Sequence, residues 1–211
     1  MMAGKDLQSS QARNGDGDAF ARAVAIVLSD AIEGGLVDHP RDPGGLTNHG
    51  VSLRFALSAG DLDRDGRLDL DIDGDGDVDP DDIRAMTPEM ATQVYRQHFW
   101  QLLRCDLLPA PVALLVFDCG INQGRGPAVA LLQRTLGVPV DGKLGPKTRA
   151  AMQALRQAQD EDDVPRATDE YAALRMHRYA TVGDFESFGL GWSRRLMHVH
   201  AEAVAWRLEG V

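Results

Sequence analysis

Glu33 ends a stretch whose apolar spacing is helical, and two glycines, Gly34 and Gly35, follow it directly. A carboxyl on the last helical turn sits at the negative end of the helix dipole, which disfavours its ionisation and raises its pKa where it is partly buried. A carboxylic acid kept protonated near neutral pH can protonate a leaving-group oxygen. The diglycine removes side-chain bulk beside it, so a polymer could approach. Asp42 follows nine residues later in a Pro-Gly-Gly turn, and Thr47 five residues after that. Glutamate, diglycines, aspartate and threonine together are the chain's first candidate chemistry.

The second candidate is a run of carboxylates, D-L-D-R-D-G-R-L-D-L-D-I-D-G-D-G-D-V-D-P-D-D over residues 61–82. It holds eleven aspartates against Arg64 and Arg67, so nearly all of the net charge of −10 is local. The unit D-x-D-x-D-G occurs twice, as Asp61, Asp63, Asp65, Gly66 and as Asp71, Asp73, Asp75, Gly76. Calcium loops take carboxylates at positions 1, 3 and 5, glycine at 6, a carbonyl at 7 and a closing carboxylate at 12. The second unit meets each requirement, with the Asp77 carbonyl at position 7, Asp79 at 9 and Asp82 at 12; it resembles a dockerin-type loop. The first places Ile72 at position 12 and so lacks that closing ligand. One calcium is expected at the second unit. A second remains open, in a tandem arrangement resembling thrombospondin type-3 repeats that shares Asp69 or Asp71.

These residues need a scaffold, and the pattern predicts a mainly α one. Phe20, Val24, Val27, Leu28 and Ala31 form one stripe of a helix over 18–33, capped by Asp18 and stopped by the diglycine. Thr87-Pro88 reads as N-cap and first helical residue of a helix to Arg104. Further helices are expected at 110–123, 127–136, 146–159, 165–181 and 192–208, with a small β element around 46–51. Residues 1–17 read as a flexible N-terminus, and 18–211 as one helical domain carrying the 61–82 insert.

Several segments together resemble glycoside hydrolase family 108, the phage endolysins and bacterial N-acetylmuramidases. They are E-G-G-L-V-D-H-P-R-D-P-G-G-L-T-N-H-G (Glu33 to Gly50), V-D-P-D-D-I-R-A-M-T (Val78 to Thr87), Y-R-Q-H-F-W (Tyr95 to Trp100) and F-D-C-G-I-N-Q-G-R-G-P-A (Phe117 to Ala128). L-Q-R-T-L-G-V (Leu132 to Val138), D-G-K-L-G-P-K-T (Asp141 to Thr148) and F-x-x-F-G-x-G-W-x-x-R (Phe185 to Arg195) continue it. The resemblance implies a lysozyme-like fold and cleavage between N-acetylmuramic acid and N-acetylglucosamine in peptidoglycan, with Glu33 as catalytic acid. It implies that Asp42 stabilises the oxocarbenium-like centre or orients water, and that Thr47 holds that water or fixes the loop. The spacing before Thr47 is one residue shorter than in phage lysozymes. It also implies that the helix carrying Asp118 and Asn122 underlies the cleft, where either residue contacts sugar or cross-links the core; both readings stand. His49 in the catalytic loop is a further substrate contact. Residues 124–211 resemble a peptidoglycan-binding helical part. Phe185, Phe188 and Trp192 could line a sugar subsite, since aromatic faces stack on pyranose rings, but their near-helical spacing favours core.

Composition narrows the field. With 44% hydrophobic and 26% charged residues, the chain is globular in type. It has no Lys/Arg stripe to neutralise phosphates, which argues against nucleic acid as partner. The longest apolar run, Ala19 to Ile32, is interrupted by Arg22 and Asp30, so no stable membrane insertion is expected. Cys105 and Cys119 are too few for a disulfide scaffold, and neither they nor the six histidines have zinc spacing. A monomer acting on peptidoglycan glycan strands is expected. With no apolar leader after Lys5, it would be made in the bacterial or host cytoplasm and reach the wall after release. A lytic transglycosylase and a non-catalytic calcium-dependent wall-binding module are the alternatives.

Overall fold

A computed structural model describes residues 19–29, 35–37, 45–182 and 185–209. Helices dominate them, as the periodicity predicts. They fall into two compact units, one spanning Val24–His98 and the other joining the chain up to Ala23 with Phe99–Val211.

In the first unit a short hairpin pairs β1 (Thr47–Asn48) with β2 (Val51–Ser52), Thr47 opposite Ser52 and Asn48 opposite Val51. The turn residues His49 and Gly50 have φ of 47° and 76°, the paired left-handed conformations that a two-residue hairpin demands. Val37 adds a bridge, exchanging both backbone hydrogen bonds with Thr47 at 2.8 and 2.9 Å. The buried Asn48 side chain donates to the Ile83 and Met86 carbonyls at 2.9 and 3.2 Å. It thereby ties the hairpin to α3.

Helix α1 covers residues 19–29, with Phe20, Ala23, Val24, Val27 and Leu28 buried on the expected stripe. Ser52 caps α2 (Leu53–Ala59) by accepting from the Phe55 N–H. Asp79 caps α3 (Pro80–Ala85), and Thr87 caps α4 (Pro88–Tyr95), each with proline at the first helical position. The α4 helix does not run regularly to Arg104 as the sequence pattern suggests. It widens into a π-helical turn at Arg96–Gln101, and Arg104 then adopts a left-handed φ of 52°.

In the second unit α5 (Ala110–Gln123) is the central helix, buried from Pro111 through Gly120. Helices α6 (Arg125–Thr135), α8 (Asp163–Thr181) and α9 (Phe185–Glu209) pack around it. Helix α7 (Pro146–Arg156) packs on α8 and on the 3-10 turn Cys105–Leu107. Phe20, Trp100 and Phe117 meet edge to face, with centroids 5.4 to 6.0 Å apart. Gly120 permits a close approach here: a Cβ would lie 2.5 Å from Leu103 Cδ1, and that side chain would have to shift. Helix α9 begins seven residues earlier than the pattern suggests, at Phe185 rather than Trp192. No helix of the described residues is long and apolar enough to cross a membrane.

Candidate functional site

Of the catalytic-loop residues, Glu33 and Asp42 lie outside the described residues. Thr47 is half-buried at the start of β1, and its hydroxyl donates to the Gly45 carbonyl at 3.2 Å. His49, held in the left-handed turn, has its Nδ1 buried with no hydrogen-bond partner among the described residues. Its carbonyl accepts from the Tyr95 hydroxyl at 3.4 Å.

The acidic insert folds into two loops built alike. In the second, Asp71 accepts from the Gly74 and Gly76 amides at 2.8 and 3.0 Å, while Asp82 accepts from Ile72 at 2.6 Å and Asp79 at 2.7 Å. In the first, Asp61 accepts from Asp65 and Gly66 at 3.1 and 2.9 Å, and Asp69 accepts from Leu62 at 3.0 Å. Asp69 therefore stands to Leu62 as Asp82 stands to Ile72, and the first loop has a closing carboxylate after all. It comes from position 9, not from position 12, where Ile72 sits. The signal was present in the sequence: Asp69 and Asp79 are equivalent positions of the ten-residue repeat. Behind Asp69, Nε2 of the buried His98 lies 3.1 Å from its Oδ2.

Three sets of carboxylates bring one oxygen each within 4.8 Å of one another: Asp61, Asp63 and Asp69; Asp71, Asp73 and Asp82; and Asp77, Asp79 and Asp82. All donors are oxygen, which suits a hard cation, and Gly66 and Gly76 take φ of 92° and 104° where a side chain would be strained. Asp65 and Asp75 belong to none of these sets; their Oδ1 atoms accept from Arg67 and Asp77 instead, at 2.9 and 3.1 Å. Asp77 brings its carboxylate, where the spacing had called on its carbonyl. Desolvation and the fields of Asp75, Asp82 and Asp71 hold the Asp73 carboxyl above the ordinary range. Asp75 foremost does the same to Asp77. A bound cation would relieve both.

Asp118 and Asn122, one turn apart on α5, lead to different environments. Asp118 has no exposed surface; Arg175 reaches its Oδ2 at 2.6 Å and Arg195 its Oδ1 at 2.6 Å. Of the two readings left open, this is the core cross-link. Burial would lift the Asp118 carboxyl, but the two guanidiniums outweigh it and hold it below the ordinary range. Asn122 is exposed, and its Oδ1 accepts from the Tyr179 hydroxyl at 2.6 Å and from Arg175 at 3.4 Å. Its NH2 makes no hydrogen bond among the described residues. Arg175 and Tyr179 escaped the sequence reading because their partners are remote in the chain, whereas Arg195 closes the F-x-x-F-G-x-G-W-x-x-R segment.

The L-Q…D-G…G-P-x-T segment is a clip around buried Gln133. Its Oε1 accepts from the Asp141 and Gly142 amides, both at 2.9 Å, and its Nε2 donates to Asp141, Lys143 and Thr148 at 2.7, 3.0 and 3.0 Å.

Residues 24–124 match the family described as glycosyl hydrolase 108, and residues 127–197 match one described as a predicted peptidoglycan domain. No curated protein matches the chain. Among solved structures, SagA of Brucella abortus is 36% identical and superposes with a TM-score of 0.72, the match covering 90% of this chain and 97% of that one. Identity at that level over nearly the full length of both, with the consecutive family matches, places the chain in the glycosyl hydrolase 108 family, as a glycoside hydrolase of peptidoglycan.

Proposed function

We propose that the chain hydrolyses the β-1,4 bond between N-acetylmuramic acid and N-acetylglucosamine, with Glu33 as general acid. The observation that carries this reading is that Glu33, at the E-G-G step, falls inside the 24–124 family match. The Glu33 carboxyl gives its proton to the glycosidic oxygen as the bond to C1 breaks. Asp42 stabilises the positive charge that develops at C1, and water then supplies the new C1–O bond, its proton returning to carboxylate. Thr47, braced on Gly45, fixes the loop. His49 and Asn122 are each assigned a sugar contact, and Asp118 acts on Asn122 through Arg175.

Calcium belongs to the same proposal. Asp71, Asp73 and Asp82 hold one ion, with Asp75 and Asp77 beside them; Asp61, Asp63 and Asp69 hold a second, with Asp65 beside them. The ion neutralises the carboxylates and orders the insert, and takes no part in bond cleavage.

The test is release of soluble fragments from purified sacculi by the wild type and by Glu33→Gln. Loss of release in the variant, with reducing muramic acid ends in the wild-type products, is expected. Ends of 1,6-anhydro type would assign a transglycosylase instead. A wild type that binds sacculi and releases nothing would overturn catalysis altogether.

A further inference from the structure

Phe185 and Phe188 are 38% and 46% exposed, although their spacing reads as core. They are not loose. Half-buried Trp192 stacks on Tyr179 (centroids 5.2 Å, planes 19° apart) and on Phe188 (5.9 Å, 26°), with Phe185 tilted at 6.4 Å. Gly189 explains how Phe185 is seated, since a Cβ there would come within 2.9 Å of its ring. The F-x-x-F-G-x-G-W segment therefore builds an ordered row of rings at the start of α9. The same Tyr179 that supports Trp192 also donates to Asn122, so the row is coupled to an exposed residue whose amide NH2 makes no hydrogen bond among the described residues. Flat aromatic faces with negative π surfaces attract the polarised C–H face of a pyranose ring. An amide NH2 beside them is a donor for an acetamido carbonyl.

We infer that Phe185, Phe188 and Trp192, with Asn122, form a stacking subsite for a β-1,4-linked strand of N-acetylated amino sugars. This deepens the proposed function and rests on it for the substrate class. It assigns the row to glycan, not to a protein or lipid partner, because the rings fall within the residues 127–197 that match a predicted peptidoglycan domain and adjoin an exposed amide.

The test is titration of the full-length Glu33→Gln chain with an N-acetylglucosamine oligomer, followed by tryptophan fluorescence and calorimetry. Phe188→Ala is expected to weaken binding about ten-fold. Phe188→Leu, which keeps bulk and loses the flat face, should weaken it equally, and Phe188→Tyr should restore it. Thermal melts of the free variants should match the parent, because the ring is half exposed. Leucine binding like phenylalanine, an alanine variant binding like the parent, or no oligomer binding by the parent would each overturn the subsite. So would ring-dependent binding to lipid vesicles with oligomer affinity unchanged. The two readings separate cleanly. If Glu33→Gln still cleaves sacculi while Phe188→Ala loses oligomer affinity, the acid assignment falls and the subsite stands. The converse result removes the subsite alone.

Discussion

Asp118 and Arg175 face each other across 2.6 Å, both with side chains at 0% exposure, and join α5 to α8 in the core of one unit. Arg195 binds the same carboxylate from α9, so a single buried acid connects three helices. Removing one member of such a cluster strands the others without water. Asp118→Ala is expected to lower unfolding stability by about 3–5 kcal/mol, measured by urea denaturation. Arg195→Ala should cost less, because that side chain is one-third exposed and water can take its place.

The same cluster sets an acid limit. The Asp118 pKa is lowered in the folded state, so between that value and the ordinary one of about 3.9 the unfolded chain binds the proton and the folded chain does not. Its contribution is complete above the ordinary pKa and is lost as pH falls toward the lowered one. Urea midpoints should drop between about pH 5 and pH 3, and Asp118→Asn should flatten that part of the curve. An unchanged slope in the variant would remove Asp118 from the account.

Much of this was legible before any coordinates. Thr87-Pro88, the apolar stripe of α1 and the small β element around 46–51 are local signals, and local chemistry decided them. The π turn at Arg96–Gln101 was not legible, since no glycine or proline marks the wider turn. Nor was the start of α9: Gly189 and Gly191 resemble helix breakers, and the stacking of Trp192 on Tyr179 of α8 is a tertiary contact. At the site, the repeat revealed both acidic loops but hid the closing role of Asp69, because the twelve-residue template looks for a carboxylate at Ile72. The Arg175–Tyr179–Asn122 chain is non-local, and no spacing rule reaches it.

Calcium should stabilise the protein and EDTA should reverse the effect. At ~100-fold above its dissociation constant a single ion adds about 2.7 kcal/mol, visible as a higher melting temperature. Asp82→Ala should abolish the second loop's share, since Asp82 belongs to two of the three carboxylate sets. The sharper comparison is Asp69→Ala. If Asp69 closes the first loop, calorimetric titration should show one site fewer than in the wild type, whereas Ile72→Ala should leave the count unchanged. Identical melts with calcium and EDTA would rule out a stabilising ion.

Gln133 offers a test of whether the L-Q…D-G…T segment is architecture or ligand site. Both ends of its amide are committed, Oε1 to two backbone amides and Nε2 to Asp141, Lys143 and Thr148. Gln133 foremost also holds the Asp141 carboxyl below the ordinary range. Gln133→Ala deprives the buried Thr148 hydroxyl and the exposed turn at Asp141–Lys143 of a common partner and should destabilise the fold by about 1–3 kcal/mol. Gln133→Glu is close to isosteric, yet it sets a carboxylate against Asp141 and the Lys143 carbonyl, so it should do no better near neutral pH and recover partly when acid protonates it. A ligand site predicts a different pattern, with melting temperatures preserved in both variants and sacculus binding lost. Melting curves and sacculus pull-down on the two variants therefore decide between a clip that shapes the fold and a contact that grips the wall.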